Sequence, residues 1–203
     1  MTTLIRLLQV VPVLLLAVLS ACSTLQQPTQ SAATINGLAN NHNIQQWSVR
    51  GKVGLRNDKK AHSAYLNWSQ CGEAFDIRLS GPLGQGAAHL MGDSKHAYLA
   101  TSDNQHYSAS SASVLLEQQL GWTLPIEQLR YWLRALPDPD YSYRLNKNDT
   151  TPGFEQQAWN LSYPGLIEHS PYQLPSRIIA KHSSLKVTLV IKQWQLSPDC
   201  NTP

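Results

Sequence analysis

The 203-residue sequence predicts a mostly β fold of the α+β class: a strongly curved antiparallel sheet, an incomplete barrel of about 10–11 strands, capped by helices. Three observations predict it. Apolar and polar residues alternate with a period of two over 47–55, 63–68 and 75–80, and most clearly over 185–192. Glycine, asparagine, aspartate and proline punctuate those runs at short intervals. Between those runs, around residues 111–137, the period lengthens to that of a helix. A curled sheet of this size need not fill its interior with side chains, so it could hold a ligand.

Composition narrows the classes further. Hydrophobic residues make up 42% and charged residues only 14%, against the usual ~25% charged. That excludes a charged disordered chain and a coiled coil. The net charge is +3, and losing Arg6 with a cleaved leader would lower it by one. So small a surplus gives no nucleic-acid footprint. Three cysteines are too few for a disulfide-built miniprotein.

The elements follow in chain order. Arg6 is the only charge in the first 49 residues, and an apolar run from Leu7 to Leu19 follows it. The run is too short for a membrane span, which takes ~20 residues, but suits the core of a signal peptide. It ends in Leu19-Ser20-Ala21-Cys22, which looks like a bacterial lipobox. Residues 1–21 are therefore expected to be a lipoprotein signal peptide, with Cys22 the site of lipid attachment. The plainer alternative is a secretory signal with a chance cysteine. Ser23 in place of aspartate points to the outer membrane in such lipoproteins. Acyl chains at ~0.8 kcal/mol per buried CH₂ make a permanent anchor. Residues 22–33 are polar and uncharged, and read as a flexible tether to a single domain over 34–203.

Thr34–Gln46 suggests a short amphipathic helix, with Ile35, Leu38 and Ile44 on one side. Strands follow over 47–55, 61–68 and 75–79, separated by turns at Asn57–Lys60 and Gln70–Glu73. Gly81-Pro82-Leu83-Gly84 ends the third strand. Shorter strands are expected near 85–91, 96–101 and 105–109. Ser111 or Ser113 caps a helix that Gly121 stops. Pro125 starts a second helix. Its apolar stripe is Ile126, Leu129, Trp132, Leu133 and Leu136, and Pro137 ends it. Strands resume at 141–146, 154–163, 176–182 and 184–196. Residues 164–175, with three prolines, read as a long loop.

This pattern resembles the LolB family, outer-membrane receptors for lipoproteins. The likeness rests on Arg50-Gly51, Trp68 with Gln70, Pro82-Leu83-Gly84, Leu120-Gly121, Leu124-Pro125, Leu129 with Trp132, Leu136-Pro137, Trp159 with Tyr163, Leu174-Pro175 and Trp194, in that order behind a lipobox. It implies about eleven antiparallel strands around an apolar cavity. It also implies that a monomer takes acylated lipoproteins from the soluble periplasmic carrier LolA and inserts them into outer-membrane lipid, without nucleotide, cofactor or metal. The candidate cavity lining is Ala64, Leu66, Trp68, Phe75, Ile77, Leu79, Leu129, Trp132, Leu133, Leu185, Val187 and Leu189. Taken singly, each reads more readily as packed core. The family's loop leucine dips into lipid, and Leu83, between Pro82 and Gly84, aligns with it; otherwise it is a turn leucine folded back on the sheet. The family can carry glycine where this chain has Ala135. If that site is left-handed, alanine costs about 1 kcal/mol.

Cys71 and Cys200 lie outside the motif. They either pair in the oxidising periplasm or remain two thiols. Arg50, Arg130 and Arg134 could form a basic mouth for an acidic partner, or be ordinary solvated surface. Three other functions compete. The sequence has no H-E-x-x-H, C-x-x-C or G-x-S-x-G motif and no obvious metal pair among its seven histidines, so no enzyme is expected. A lipoprotein that binds another lipid or small apolar ligand in a lipocalin-like manner, or a structural envelope lipoprotein, stays open.

Overall fold

The structure, a computed structural model, describes residues 38–82, 86–121, 124–146 and 151–200. Cys22 and the tether lie outside the described residues, as do Leu83 and Gly84. The described strands are β1 (Gln46–Arg56), β2 (Ala61–Cys71), β3 (Ala74–Ser80), β4 (Ala88–Gly92), β5 (Ala97–Thr101) and β6 (His106–Ala109). After the helices come β7 (Tyr143–Leu145), β8 (Gly153–Gln156), β9 (Trp159–His169), β10 (Tyr172–His182) and β11 (Leu185–Leu196). All eleven form one antiparallel sheet in the order β6-β5-β4-β3-β2-β1-β11-β10-β9-β8-β7. Apart from β1 against β11, every neighbour is also a neighbour in sequence. The two edges, β6 and β7, do not pair, so the barrel is incomplete. The chain that joins those edges carries both helices, α1 (Ala112–Leu120) and α2 (Ile126–Trp132).

The β1–β11 seam depends on one glycine. The register shifts between Arg50 and Gly51, and a Cβ on Gly51 would stand 2.1 Å from the Val190 carbonyl oxygen. Only glycine fits so close a backbone approach.

The helices begin and end for local reasons. Ser111 is the N-cap of α1, accepting from the Val114 amide at 3.3 Å, and Gly121 closes it at φ 67°. Ser113 has a different task. Its hydroxyl donates to the Leu124 carbonyl at 2.8 Å and accepts from the Ile126 amide at 3.0 Å. It also meets the Glu127 carboxylate. It thus ties the start of α1 to the start of α2.

Several sequence expectations need correction. The strand expected over 154–163 is a hairpin, β8–β9, turning at Gln157 and Ala158 with φ 52° and 59°. Such a turn normally takes Asn or Gly, so the sequence carries no signal for it. The expected loop over 164–175 is mostly strand: β9 continues to His169 and β10 starts at Tyr172. Its prolines sit where no ladder donor is lost. Pro164 lies past the end of β8, and Pro175 lies before Arg177, where pairing with β11 begins. Gln70 and Cys71 belong to β2, leaving Gly72-Glu73 as the turn. The described part of the expected 34–46 helix ends in a 3-10 turn, Asn40–Asn43. The second helix ends at Trp132, before Pro137, and Ala135 is left-handed with φ 58°.

Candidate functional site

Strand alternation gives the sheet two chemically distinct faces. The inner face is apolar and graded. Register aligns Val49, Trp68, Ile77, Leu90 and Leu99 in one row across β1–β5, and none of them is more than 4% exposed. The next row holds Gly51, Leu66, Leu79, Ala88 and Thr101, all but Leu66 half-buried. Beyond it, Val53 pairs with Ala64 and Leu189, and Leu55 with Val187; Val53, Leu55 and Ala64 are half-buried too. The sheet is therefore tightly packed along one side and more open at an aliphatic rim.

Tryptophans fill the packed end. Trp47 lies 5.6 Å from Trp68 and 5.7 Å from Trp194, centroid to centroid. Two of the indole donors have partners: Trp68 donates to Gln70 and Trp194 to the Pro175 carbonyl, each at 2.9 Å. From the helical side, Trp132 and Leu133 are wholly buried and Leu129 is buried. Trp132 packs 5.8 Å from Trp159.

Of the residues expected to line a cavity, Leu66, Trp68, Ile77, Leu129, Trp132, Leu133, Val187 and Leu189 are buried in the common core. Phe75, Leu79 and Leu185 pack against that core and are half-buried. Ala64 is half-buried on the same face.

Two buried amides escaped the sequence reading and hold the helical segment in place. Gln156 accepts from Trp132 Nε1 and from the Asp138 amide at 2.9 Å, and donates to the carbonyls of Asp138 and Tyr141 at 2.9 Å. Asn41 donates to the Arg134 carbonyl at 2.8 Å and to Gln173 at 2.7 Å. Tyr163, fully buried, donates from its hydroxyl to the Trp132 carbonyl at 3.1 Å, and burial pushes its phenol well above the ordinary tyrosine range. Burial also raises the Asp138 carboxyl. Nothing in sequence marks a glutamine in a short strand as a fastener, because only tertiary contact gives it partners.

Leu83 and Gly84 fall outside the described residues. Their described flanks, Pro82 and Gly86, belong to the connection between β3 and β4, which leaves the sheet at the aliphatic rim: Leu79 and Ala88 pair beside it. Pro82 is exposed.

The outer face is basic. Strands β1–β5, β10 and β11 contain eight lysines and arginines and a single acid, Asp76. Register places Arg50, Lys52 and Arg56 on the face that also carries Arg78, Lys186, Arg177 and Lys181. Lys192, at the register shift, lines the same groove as Arg50. All eight are exposed. Asp76 is already engaged, 3.1 Å from Arg78 Nη2 and 2.8 Å from His89 Nε2. A groove of ≈ 860 Å³ runs across this face, from Lys192 and Arg50 through Lys52 and Arg78 to Ser80 and Ala87.

The three arginines considered for one basic mouth are separated. Arg50 is on the outer groove. Arg130 and Arg134 line a different cavity, of ≈ 320 Å³, with Trp47, Gln70 and Glu73. Arg134 is also not solvated surface: it is 8% exposed and donates to the Ile44 carbonyl, and burial lowers its pKa. Cys71 and Cys200 are joined by a disulfide, with Cα atoms 5.9 Å apart. It fastens the chain end to β2. Among the described residues no His, Cys, Asp and Glu cluster forms a metal site, and no helix is long and apolar enough to cross a membrane.

Comparison with known proteins agrees with this architecture. The family model "Outer membrane lipoprotein LolB" matches residues 45–194. An outer-membrane lipoprotein LolB of Pseudomonas fluorescens is 42% identical over 150 residues, covering 73% of either chain. One of Stutzerimonas stutzeri is 36% identical over 181 residues, covering 88% of either chain. Among solved structures, a LolA superfamily protein from Nitrosomonas europaea superposes with a TM-score of 0.50 at 10% identity, covering 84% of this chain and 94% of that one. A DUF1329 family protein from Desulfovibrio piger gives 0.53 at 8% identity, covering 84% and 92%. At such identities the structural likeness establishes the fold alone.

Proposed function

The chain belongs to the LolB family of outer-membrane lipoproteins, and from that premise we propose that it accepts acylated lipoproteins from a LolA-type periplasmic carrier and inserts them into the outer membrane. The observation that carries the reading is the graded inner face. A sheet that is open at its edges presents apolar side chains inward across most of its strands, under a helical segment that bridges those edges.

The physical problem is to move acyl chains through water. At ~0.8 kcal/mol per CH₂, exposing several long chains costs tens of kcal/mol. An apolar enclosure removes that cost with no catalytic group and no nucleotide. In the structure described, the packed end is closed by its own tryptophans, so cargo enters at the rim. Leu79 and Leu185 receive the acyl chains first, and displacement of α1 and α2 extends the enclosure toward Leu66, Ile77 and Leu189. Short helices held by a few identifiable bonds suit such a movement. Chemically, the transfer runs downhill: the bilayer shelters the chains better than the receptor, and the receptor better than the carrier.

Cys22 carries the lipid anchor, and the domain acts as a monomer on its tether. Leu83, in the connection that leaves the rim, enters the lipid and lets cargo pass out. The Leu83→Glu variant is expected to fold and to accept cargo normally, yet fail to deliver it to membrane. Normal delivery by that variant removes Leu83 from the pathway. The reading as a whole is tested by loading a labelled lipoprotein on the carrier, adding the full chain, and following the label by pull-down. Label that stays on the carrier would overturn it, and recovery of a free lipid instead would favour a lipid binder.

A further inference from the structure

The outer face has no part in sheltering acyl chains, yet its charge is strongly one-sided over seven strands. The whole chain has 16 basic and 13 acidic residues, while seven strands of the sheet have eight basic residues against Asp76. Proximity to membrane gives this asymmetry a partner. We propose that the outer face, centred on the groove lined by Arg50, Lys52, Arg78 and Lys192, seats the domain on anionic phospholipid headgroups.

Four observations favour a lipid surface as occupant. The cations are spread across neighbouring strands, which suits a laterally mobile layer of phosphates. Asp76, the one acid of those seven strands, is taken up by Arg78 and His89, so it does not neutralise Arg50, Lys52 or Lys192, and Glu155, the acid that register adds to this face, lies on β8 beside Arg144. Exposed tyrosines accompany the charge: Tyr65 pairs with Lys52, whose Nζ lies 4.9 Å from the ring centroid, and Tyr98 pairs with Met91 two strands on. Tyrosine among lysine and arginine is the composition of a membrane–water interface. Finally, the groove ends at Ser80 and Ala87, either side of the connection that holds Leu83. Headgroups in the groove would bring that connection to the bilayer.

The inference rests on the membrane-tethered reading above and adds an orientation to it. Each lysine or arginine near an anionic surface contributes about fivefold to association, and salt screens it. The test is lysine labelling of the full chain, purified from membranes and reconstituted in phosphatidylcholine vesicles with or without phosphatidylglycerol. Labelling of Lys52, Lys186 and Lys192 is expected to fall about fivefold in the phosphatidylglycerol vesicles and to recover at high salt. Lys95, on the β4–β5 turn, should be unaffected. The combined Arg50→Gln, Lys52→Gln and Lys192→Gln variant should lose the protection at Lys186 and melt as the parent does. Equal labelling in both vesicles overturns the proposal. So does protection that appears only when the carrier is added, since that marks a protein-docking face. Cargo transfer is scored separately, so a protein that is seated but does not receive cargo refutes the function and spares the orientation.

Discussion

At the start of β1, Trp47 is enclosed by Trp68 and Trp194 and is 1% exposed. Further along the same strand and on the same face, Val53 and Leu55 are half-buried, beside Ala64, Leu189 and Val187. Strand, face and apolar character are alike at the two ends; side-chain size and coverage differ. Large rings fill the first end, where Trp68 and Trp194 donate to Gln70 and a carbonyl, whereas small aliphatic side chains leave the second half-open. Under the proposed function, the contrast separates a part of the core that stabilises the fold from a part that would serve the cargo.

The sharpest way to break that contrast is Trp47→Ala. It is expected to cost about 3–5 kcal/mol, read as the denaturant midpoint, while the folded fraction still accepts cargo. At the rim, Leu79→Ala should cost less than about 2 kcal/mol, because the side chain is only half-buried, but should weaken cargo acceptance in the transfer assay. If the rim variant proves the more destabilising of the two, the division is wrong.

Smaller effects probe the cover. Ala135 follows α2 in the left-handed region at φ 58°, a conformation glycine adopts without strain. Ala135→Gly should therefore gain up to about 1 kcal/mol, seen as a higher melting temperature. The smallest effect is electrostatic. Burial raises the Asp138 carboxyl above the usual aspartate value. The folded state thus holds this proton more tightly than the unfolded chain, a stabilisation fully present below the unfolded pKa and lost as pH rises through the folded one. Asp138→Asn, which keeps an oxygen to accept from the Asp140 amide, should raise the melting temperature slightly at pH 7. The difference should vanish below about pH 4.

The strands over β1–β3 and β11 were legible because alternation there is strict and turn residues bound it. The β8–β9 hairpin was not, since Gln157 and Ala158 adopt left-handed conformations with no glycine or asparagine to announce them. Pro164 and Pro175 misled in the opposite direction: they break strands in general, but not where the neighbouring strand has ended or not yet begun to pair. Trp68, Trp132 and Leu129 were legible from periodicity as inward, buried positions, while Gln156 and Asn41 were invisible because their partners lie 15 or more residues away.

Sequence alone determined the sheet class, the helix stop at Gly121, and the inward sets of apolar residues, because each depends on spacing along the chain, while the choice of Ser111 over Ser113 as cap fell to the structure. Which of those residues are sealed and which half-open was decided by the tertiary structure, through where the segment between the sheet's edges lies. The charge asymmetry is of the same kind. A net charge sums over every residue and conceals direction, but strand alternation and cross-strand register gather eight cations on a single face.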